Sequence, residues 1–167
     1  VHGGTTNTAD GDHTVVSGGR MNLSRGSASW IGGGRENEAN GIYSVVAGGD
    51  TNEASGTASV VLGGYRNHTA SIYTSITGGS DNTVAGLFSV INGGYSNSTL
   101  GRYLVINGGE FNEGIGDYSV ISGGMDNIAE DENTAIFGGI SNETTNNYAV
   151  MFGGENSVAN GMHSAIF

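Results

Sequence analysis

Apolar and polar positions follow a pattern that repeats every 15 residues from Gly3 to Phe167. Counted from the first glycine, the consensus unit reads G-G-x-x-N-x-A-x-G-x-Y-S-V-I-x. Eleven units follow one another without insertion or deletion, from residues 3–17 to residues 153–167. We call the residues that share one position in all units a column, because stacking of the units would place them in a line along the molecule.

The composition of the unit predicts strands rather than helices. A helical repeat needs 20 or more residues and good helix formers, whereas this unit is short and rich in Gly, Ser, Asn and Val. Each unit offers one strand segment around N-x-A and one through Y-S-V-I, separated by glycine turns. Coils stacked at about 4.8 Å would form a rod about 50 Å long. The sequence therefore predicts an all-β parallel β-roll, or β-solenoid, of eleven 15-residue coils, with residues 1–167 as one domain.

The fourteenth column holds only aliphatic residues and methionine, which predicts the core of the roll. Alternation of side chains along a strand places the twelfth column on the same inner face. On the other strand the small residues of the seventh column and the Asn residues of the fifth column also point inward. We expect the stacked Asn side chains to bond to one another and to the turn backbone. The core column is Val16, Ile31, Val46, Val61, Ile76, Ile91, Ile106, Ile121, Ile136, Met151 and Ile166.

The ninth column is glycine except at Ser71, Asp131 and Asn146. Asp and Asn tolerate the left-handed backbone conformation that glycine adopts readily. We therefore predict that the ninth column has positive φ angles.

The same alternation turns the eleventh, thirteenth and fifteenth columns outward, although they are not polar. A monomer would expose this Tyr/Val stripe along its whole length, which soluble monomers rarely do. We therefore expect the chain to associate with itself, as a homo-oligomer or filament. The candidate residues for self-association are Tyr43, Val45, Tyr73, Phe88, Val90, Tyr103, Val105, Tyr118, Val120, Tyr148 and Val150.

The negative charge of the chain limits the kinds of molecule that it can bind. The chain has 16 Asp and Glu residues, five Arg and no Lys, with a net charge of −11. This balance disfavours nucleic acid, whose phosphates need basic stripes. We expect no membrane insertion in this segment, because no apolar run approaches the roughly 20 residues of a spanning helix. Without cysteine there are no disulfides or thiolate metal sites, and we expect no cofactor and no enzyme activity, since neither a nucleophile elbow nor a phosphate loop occurs.

Two weaker signals concern calcium and glycans. Residues 103–167 are rich in acids, and the weak calcium candidates are Asp126, Glu130, Asp131 and Glu132. A solvated turn is the favoured interpretation of this cluster. Four Asn-x-Ser/Thr sequons lie in the fifth column, where the repeat itself creates the match, and we interpret them as structural: Asn22, Asn67, Asn97 and Asn142.

The unit resembles the head repeats of trimeric autotransporter adhesins. The resemblance spans all eleven units and depends on the S-V-I-x-G-G and N-x-A-x-G elements, as in residues 43–56 and 88–101. It implies a left-handed parallel β-roll, a homotrimer, a position on the bacterial surface, and binding to host matrix or carbohydrate. The constant double glycine and the 15-residue unit depart from that family's pattern.

Two alternatives remain open. Residues 14–18 are similar to the half-repeats of grass ice-binding β-rolls, but ice binding needs a flat array of Thr or Ser, and the outward columns carry Tyr, Val and Phe. Similar repeats also occur in the shafts of phage tail fibres and spikes. We expect a structural or adhesive segment of an extracellular fibre, on a cell or virion surface. Because neither end carries an atypical capping unit, we expect the segment to be part of a longer fibre.

Overall fold

A computed structural model describes residues 1–167 as two parallel sheets without any helix. Each sheet contains eleven strands, and every strand is two residues long. The first sheet consists of β1 (Thr8–Ala9), β3 (Leu23–Ser24), β5 (Glu38–Ala39), β7 (Glu53–Ala54), β9 (His68–Thr69), β11 (Thr83–Val84), β13 (Ser98–Thr99), β15 (Glu113–Gly114), β17 (Ile128–Ala129), β19 (Glu143–Thr144) and β21 (Val158–Ala159). The second consists of β2 (Val15–Val16), β4 (Trp30–Ile31), β6 (Val45–Val46), β8 (Val60–Val61), β10 (Ser75–Ile76), β12 (Val90–Ile91), β14 (Val105–Ile106), β16 (Val120–Ile121), β18 (Ala135–Ile136), β20 (Val150–Met151) and β22 (Ala165–Ile166).

Each strand pairs with the equivalent strand of the next unit, so that every unit forms one coil. In the second sheet, for example, Val90 pairs with Val105 and Ile91 with Ile106. A third line of parallel bridges runs through the third column, beginning with Thr5, Arg20 and Arg35. The predicted parallel β-solenoid of eleven coils is therefore confirmed. We number the coils 1 to 11 in chain order, from residues 3–17 to residues 153–167.

The strands are shorter than the sequence suggested. They occupy only the sixth and seventh columns and the thirteenth and fourteenth columns. A turn spans the ninth to twelfth columns, with the tenth and eleventh residues at its centre. The twelfth residue donates its backbone N–H to the ninth carbonyl, as from Ser29 to Gly26 at 3.0 Å. This i to i+3 hydrogen bond closes a β-turn directly before the second strand.

The core lies between the two sheets and contains the predicted columns. Fourteenth-column side chains are fully buried from Val16 to Met151, and Ile166 in the last coil is partly buried. The twelfth column is buried from Ser29 to Ala149. The interior is thin, since each coil except the seventh, which adds Leu104, contributes one large side chain from the second sheet, in the fourteenth column, and small residues from the first sheet. Close packing of such an interior leaves little tolerance for changes in side-chain volume.

The fifth-column Asn residues form the predicted ladder, and they explain the second glycine of each pair. Asn37 Nδ2 donates to Gly33 O and Gly49 O, both at 3.0 Å, and its Oδ1 accepts the backbone N–H of Asn52 at 3.0 Å. The same pattern extends along the rod and ends where Ser157 N–H donates to Asn142 Oδ1 at 3.2 Å. A Cβ atom on Gly34, for example, would lie 2.2 Å from Gly49 O in the next coil and 2.6 Å from Asn37 Nδ2 in the ladder.

The prediction of positive φ in the ninth column is wrong. Neither its glycines nor the residues that replace them lie in the left-handed region. Glycine is favoured there because the next coil approaches closely: a Cβ on Gly26 would lie 1.9 Å from Gly41 O, and one on Gly41 would lie 2.0 Å from Gly56 O. A requirement for close approach therefore looked, in the sequence, like a requirement for a backbone conformation.

Positive φ angles occur instead in the second column, where all eleven glycines have φ between 85° and 114°, and in the fourth and eleventh columns. All 22 residues of the fourth and eleventh columns have φ between 50° and 62°, and none is glycine. Such a conformation costs a side-chain-bearing residue about 1–2 kcal/mol. The regular hydrogen bonding of the stacked coils imposes this conformation in every unit.

Candidate functional site

The most distinctive surface of the rod is the face formed by the eleventh, thirteenth and fifteenth columns, which we call the aromatic face. Its large side chains are about half exposed: Tyr73 is 59% accessible, Tyr103 44% and Phe152 51%. The valines of the thirteenth column lie between them and are half-buried. The face therefore consists of two edge columns of large or small side chains on either side of a shallower valine column.

Rings in the eleventh column stack on one another along the rod. The ring centroids of Tyr73 and Phe88 are 5.4 Å apart, and those of Phe88 with Tyr103 and of Tyr103 with Tyr118 are 4.9 Å apart. The interplanar angles of the last two pairs are only 3° and 6°. Neighbouring rings cover each other's faces, so the stack presents a ridge of ring edges to the outside.

A second stack lies in the fifteenth column at the C-terminal end of the chain. Phe137 and Phe152 have centroids 5.1 Å apart, and Phe152 and Phe167 have centroids 4.9 Å apart. Each stacked pair contributes about 0.5–1.5 kcal/mol beyond the area it buries. The two stacks therefore rigidify the edges of the aromatic face.

The aromatic face carries no formal charge. None of the 33 residues in its three columns is Asp, Glu, Lys or Arg, although the chain has 21 charged residues. All 21 charged residues lie in the third, fourth, sixth, eighth, ninth and tenth columns. A partner that covers the face would therefore not have to remove water from any ionised group on it, which is the costly part of burying polar surface.

Charges elsewhere are partly paired between consecutive coils. Ion pairs of 2.5 Å join Arg35 with Asp50, Arg66 with Asp81, and Arg102 with Asp117. The side-chain and backbone hydrogen bonds that Arg102 donates hold the pKa of Asp117 below its ordinary value. Hydrogen bonds from Arg35 and from Thr51 likewise lower the pKa of Asp50. These pairs hold charges along the sides of the rod.

The structure places the eleven predicted self-association residues on this one face, the aromatic residues more exposed than the valines. Sequence reasoning missed a separate apolar patch in the third and fourth columns, where Tyr95 and Phe111 meet edge to face with centroids 5.2 Å apart. It also missed exposed Ile42 and Ile72 in the tenth column, next to the ridge. These residues vary from coil to coil, so no periodic signal in the sequence marks them.

No other kind of site emerges from the geometry. The surface has no pocket. The four acids considered for calcium are not brought together, and no group of three or more His, Cys, Asp or Glu residues could hold a metal ion. The sequon residues Asn22, Asn67, Asn97 and Asn142 are at most 1% exposed, so their side chains are not accessible for glycosylation. No helix long and apolar enough to cross a membrane is present.

Comparison with protein-family models and with curated proteins finds no match to this chain. The resemblance to adhesin heads therefore stays an expectation from the repeat.

Proposed function

We propose that this chain is a structural and adhesive segment of an extracellular fibre, which associates with itself through the aromatic face. The observation that carries the proposal is an exposed aromatic surface, free of charge, on a rod that otherwise carries a net charge of −11. The repeat supports a role as a rigid spacer, since every coil is hydrogen-bonded to the next.

The area of the face supports stable association. Six aromatic side chains in the eleventh column are about half exposed: Tyr43, Tyr73, Phe88, Tyr103, Tyr118 and Tyr148. Each leaves on the order of 100 Å² accessible, judged from the 150–250 Å² of an aromatic side chain. Together they provide about 600 Å², close to the roughly 800 Å² per partner of a standard interface before the valines are counted.

Adhesion would follow from repetition. A rod of similar coils presents related weak contacts many times, and linked contacts increase the overall affinity for host matrix or carbohydrate without new chemistry. The lack of a pocket favours such distributed binding over recognition of one small ligand.

Sedimentation velocity tests the self-association. The variant Phe88→Asn/Tyr103→Asn/Tyr118→Asn removes the ridge but keeps the backbone, because Asn133 already occupies this column at φ 59°. We expect the wild-type chain to be oligomeric at micromolar concentration and the variant to dissociate at least about 100-fold more readily. The control Tyr65→Asn/Tyr95→Asn removes two rings of the third column, each also 43% exposed, and should associate like the wild type.

A wild-type chain that is monomeric at these concentrations would contradict the proposal. Adhesion has its own measurement, which is binding of the wild-type oligomer and of the dissociated variant to an immobilised film of matrix protein. Equal binding by both would show that self-association contributes nothing to adhesion.

A further inference from the structure

Each of coils 1 to 9 places one bulky side chain on the aromatic face, and the column that holds it changes along the rod. In coils 3 and 8 the eleventh column holds Tyr43 and Tyr118, opposite Ala47 and Ser122 in the fifteenth. In two other coils the large residue lies in the fifteenth column instead. The bulky residues of coils 1 to 9 are, in order, His13, Trp30, Tyr43, Leu62, Tyr73, Phe88, Tyr103, Tyr118 and Phe137.

The reversal occurs at coils 4 and 9. In coil 4 the eleventh column is Ala58 and the fifteenth is Leu62, which is 50% exposed. In coil 9 they are Asn133 and Phe137, which is also 50% exposed. The two edges of the face are thus complementary in size, coil by coil.

Coil 2 obeys the same rule through the central column. A Cβ on Gly32 would lie 2.3 Å from Ala47 O and 2.8 Å from the Trp30 ring, so the indole and the backbone of the next coil both limit the space for a fifteenth-column side chain there. Coils 10 and 11 differ, because each carries a large side chain on both edges.

We propose that the aromatic face binds a second copy of this chain, parallel and in register, with the eleventh column of one copy against the fifteenth column of the other. This inference rests on the proposed function and specifies its partner and register. When two identical faces meet about a symmetry axis parallel to the rod, the left edge of one lies against the right edge of the other at the same height. In coils 3 to 9 every large side chain then meets a smaller one.

Other registers lose this match. A shift of one coil sets Tyr43 against Leu62 in one direction and Tyr73 against Leu62 in the other. The same shifts set Tyr118 or Tyr148 against Phe137 and leave Ala58 opposite a small residue. An antiparallel pair centred on coil 6 brings Tyr73 onto Tyr103 and Phe88 onto its own copy. The size pattern therefore discriminates against wrong alignments as well as favouring the proposed one.

Coil 4 offers a test in trans. Ala58→Tyr puts a large residue on both edges, and Leu62→Ala puts a small residue on both. Each single variant should associate at least about tenfold more weakly than the wild type. An equimolar mixture of the two should recover wild-type affinity. In the mixed pair the introduced tyrosine of one chain meets the introduced alanine of the other, while the native Leu62 of the first meets the native Ala58 of the second.

Folding of the single variants is a separate readout. Position 58 has φ 54°, in the range where other coils carry Tyr. A new ring between Tyr43 and Tyr73 should leave the fold at least as stable while association weakens. If the variants associate weakly and the mixture does not recover, the register proposal is wrong, whereas a monomeric wild type would instead overturn the proposed function.

A spin-label distance tests direction without changing the face. The chain has no cysteine, so Asp12→Cys in coil 1 gives a single labelling site at an exposed tenth-column position. Parallel copies place the two labels at the same end of the rod, within about 30 Å by the width of two packed coils, given sheet spacings of about 10 Å. A distance near the full rod length of about 50 Å would establish an antiparallel pair and overturn the inference.

Discussion

Leu104 occupies the space left by the missing side chain of Gly114, one coil farther along the rod. A Cβ atom on Gly114 would lie 2.3 Å from Leu104 Cδ1 and 2.4 Å from Cδ2. Leu104 is the only large side chain in the twelfth column, and Gly114 is the only glycine in the seventh. The two departures from the repeat are one compensating exchange of volume across the core.

The exchange predicts strong coupling between the two positions. Gly114→Ala alone should destabilise the protein by about 1–3 kcal/mol through overpacking. Leu104→Ser alone should cost about 2–5 kcal/mol because it leaves a cavity. The double variant restores the pair found at Ser44 and Ala54, so its loss should be smaller than the sum by at least about 1 kcal/mol. Urea unfolding measures the free energy of unfolding of all three variants. If the loss in the double variant equals the sum of the two single losses, the contact between Leu104 and Gly114 does not contribute to stability.

The repeat allowed the fold and the face to be predicted, but not this contact. The period and the alternation of side chains determine which columns point inward, and Val46 and Ser44 lie where that argument puts them. Contacts between the two sheets depend on how one coil is offset from the next, which no periodicity contains. The left-handed conformation of Tyr103 was missed for a related reason, since local preference opposes it and the stacked hydrogen bonds impose it.

The Asn ladder should be a major contribution to stability. Asn97 Nδ2 donates to Gly109 O at 2.9 Å, and its Oδ1 accepts the backbone N–H of Asn112 at 3.0 Å, all in the interior. Asn97→Ala should destabilise the protein by about 3 kcal/mol, since it leaves buried polar groups without partners at about 1–3 kcal/mol each.

A matched substitution on the exposed surface provides the control. Asn92 also bonds to the equivalent residue of the next coil, Asn107, at 2.8 Å, but it is exposed. Asn92→Ala should therefore change stability by no more than about 0.5 kcal/mol. Equal effects of the two substitutions in chemical unfolding would show that burial of the ladder is irrelevant.

Buried hydroxyls in the core offer stabilising substitutions. Thr99 Oγ1 is buried and has no hydrogen-bond partner, and Val84 already occupies the same column. Thr99→Val should stabilise the protein by about 1 kcal/mol, because it removes an unsatisfied polar group without changing the shape. Thr134→Val should instead destabilise the protein, since the Thr134 hydroxyl donates a hydrogen bond to Asp131 O at 3.1 Å. A destabilised Thr99→Val would imply that its hydroxyl has a partner in solution.

Backbone strain in the eleventh column is testable at an alanine. Ala28 has φ 56°, a left-handed conformation that costs an alanine about 1–2 kcal/mol. Ala28→Gly removes this strain, but it also increases the entropy of the unfolded chain, which lowers stability by roughly 0.4–1 kcal/mol. We expect a net gain of several tenths of a kcal/mol. The control Ala70→Gly is exposed and lies outside the left-handed region, so it should lose stability. A similar response from both alanines in thermal unfolding would argue against strain at position 28.

The pair of Arg102 and Asp117 should make stability depend on acid pH. The pKa of Asp117 is lowered in the folded chain because Arg102 donates to its carboxylate from both the guanidinium and the backbone N–H. A lowered folded pKa means that the contribution is fully present above the unfolded value of about 3.9 and is lost as the pH falls through the folded value. Stability should therefore decline below about pH 4, and Arg102→Gln should make that decline shallower and raise the Asp117 pKa in an NMR titration.

Arg20→Gln is the control, because Arg20 forms no ion pair, and it should leave the Asp117 titration unchanged. An Asp117 pKa that does not respond to Arg102→Gln would mean that the ion pair does not persist in solution.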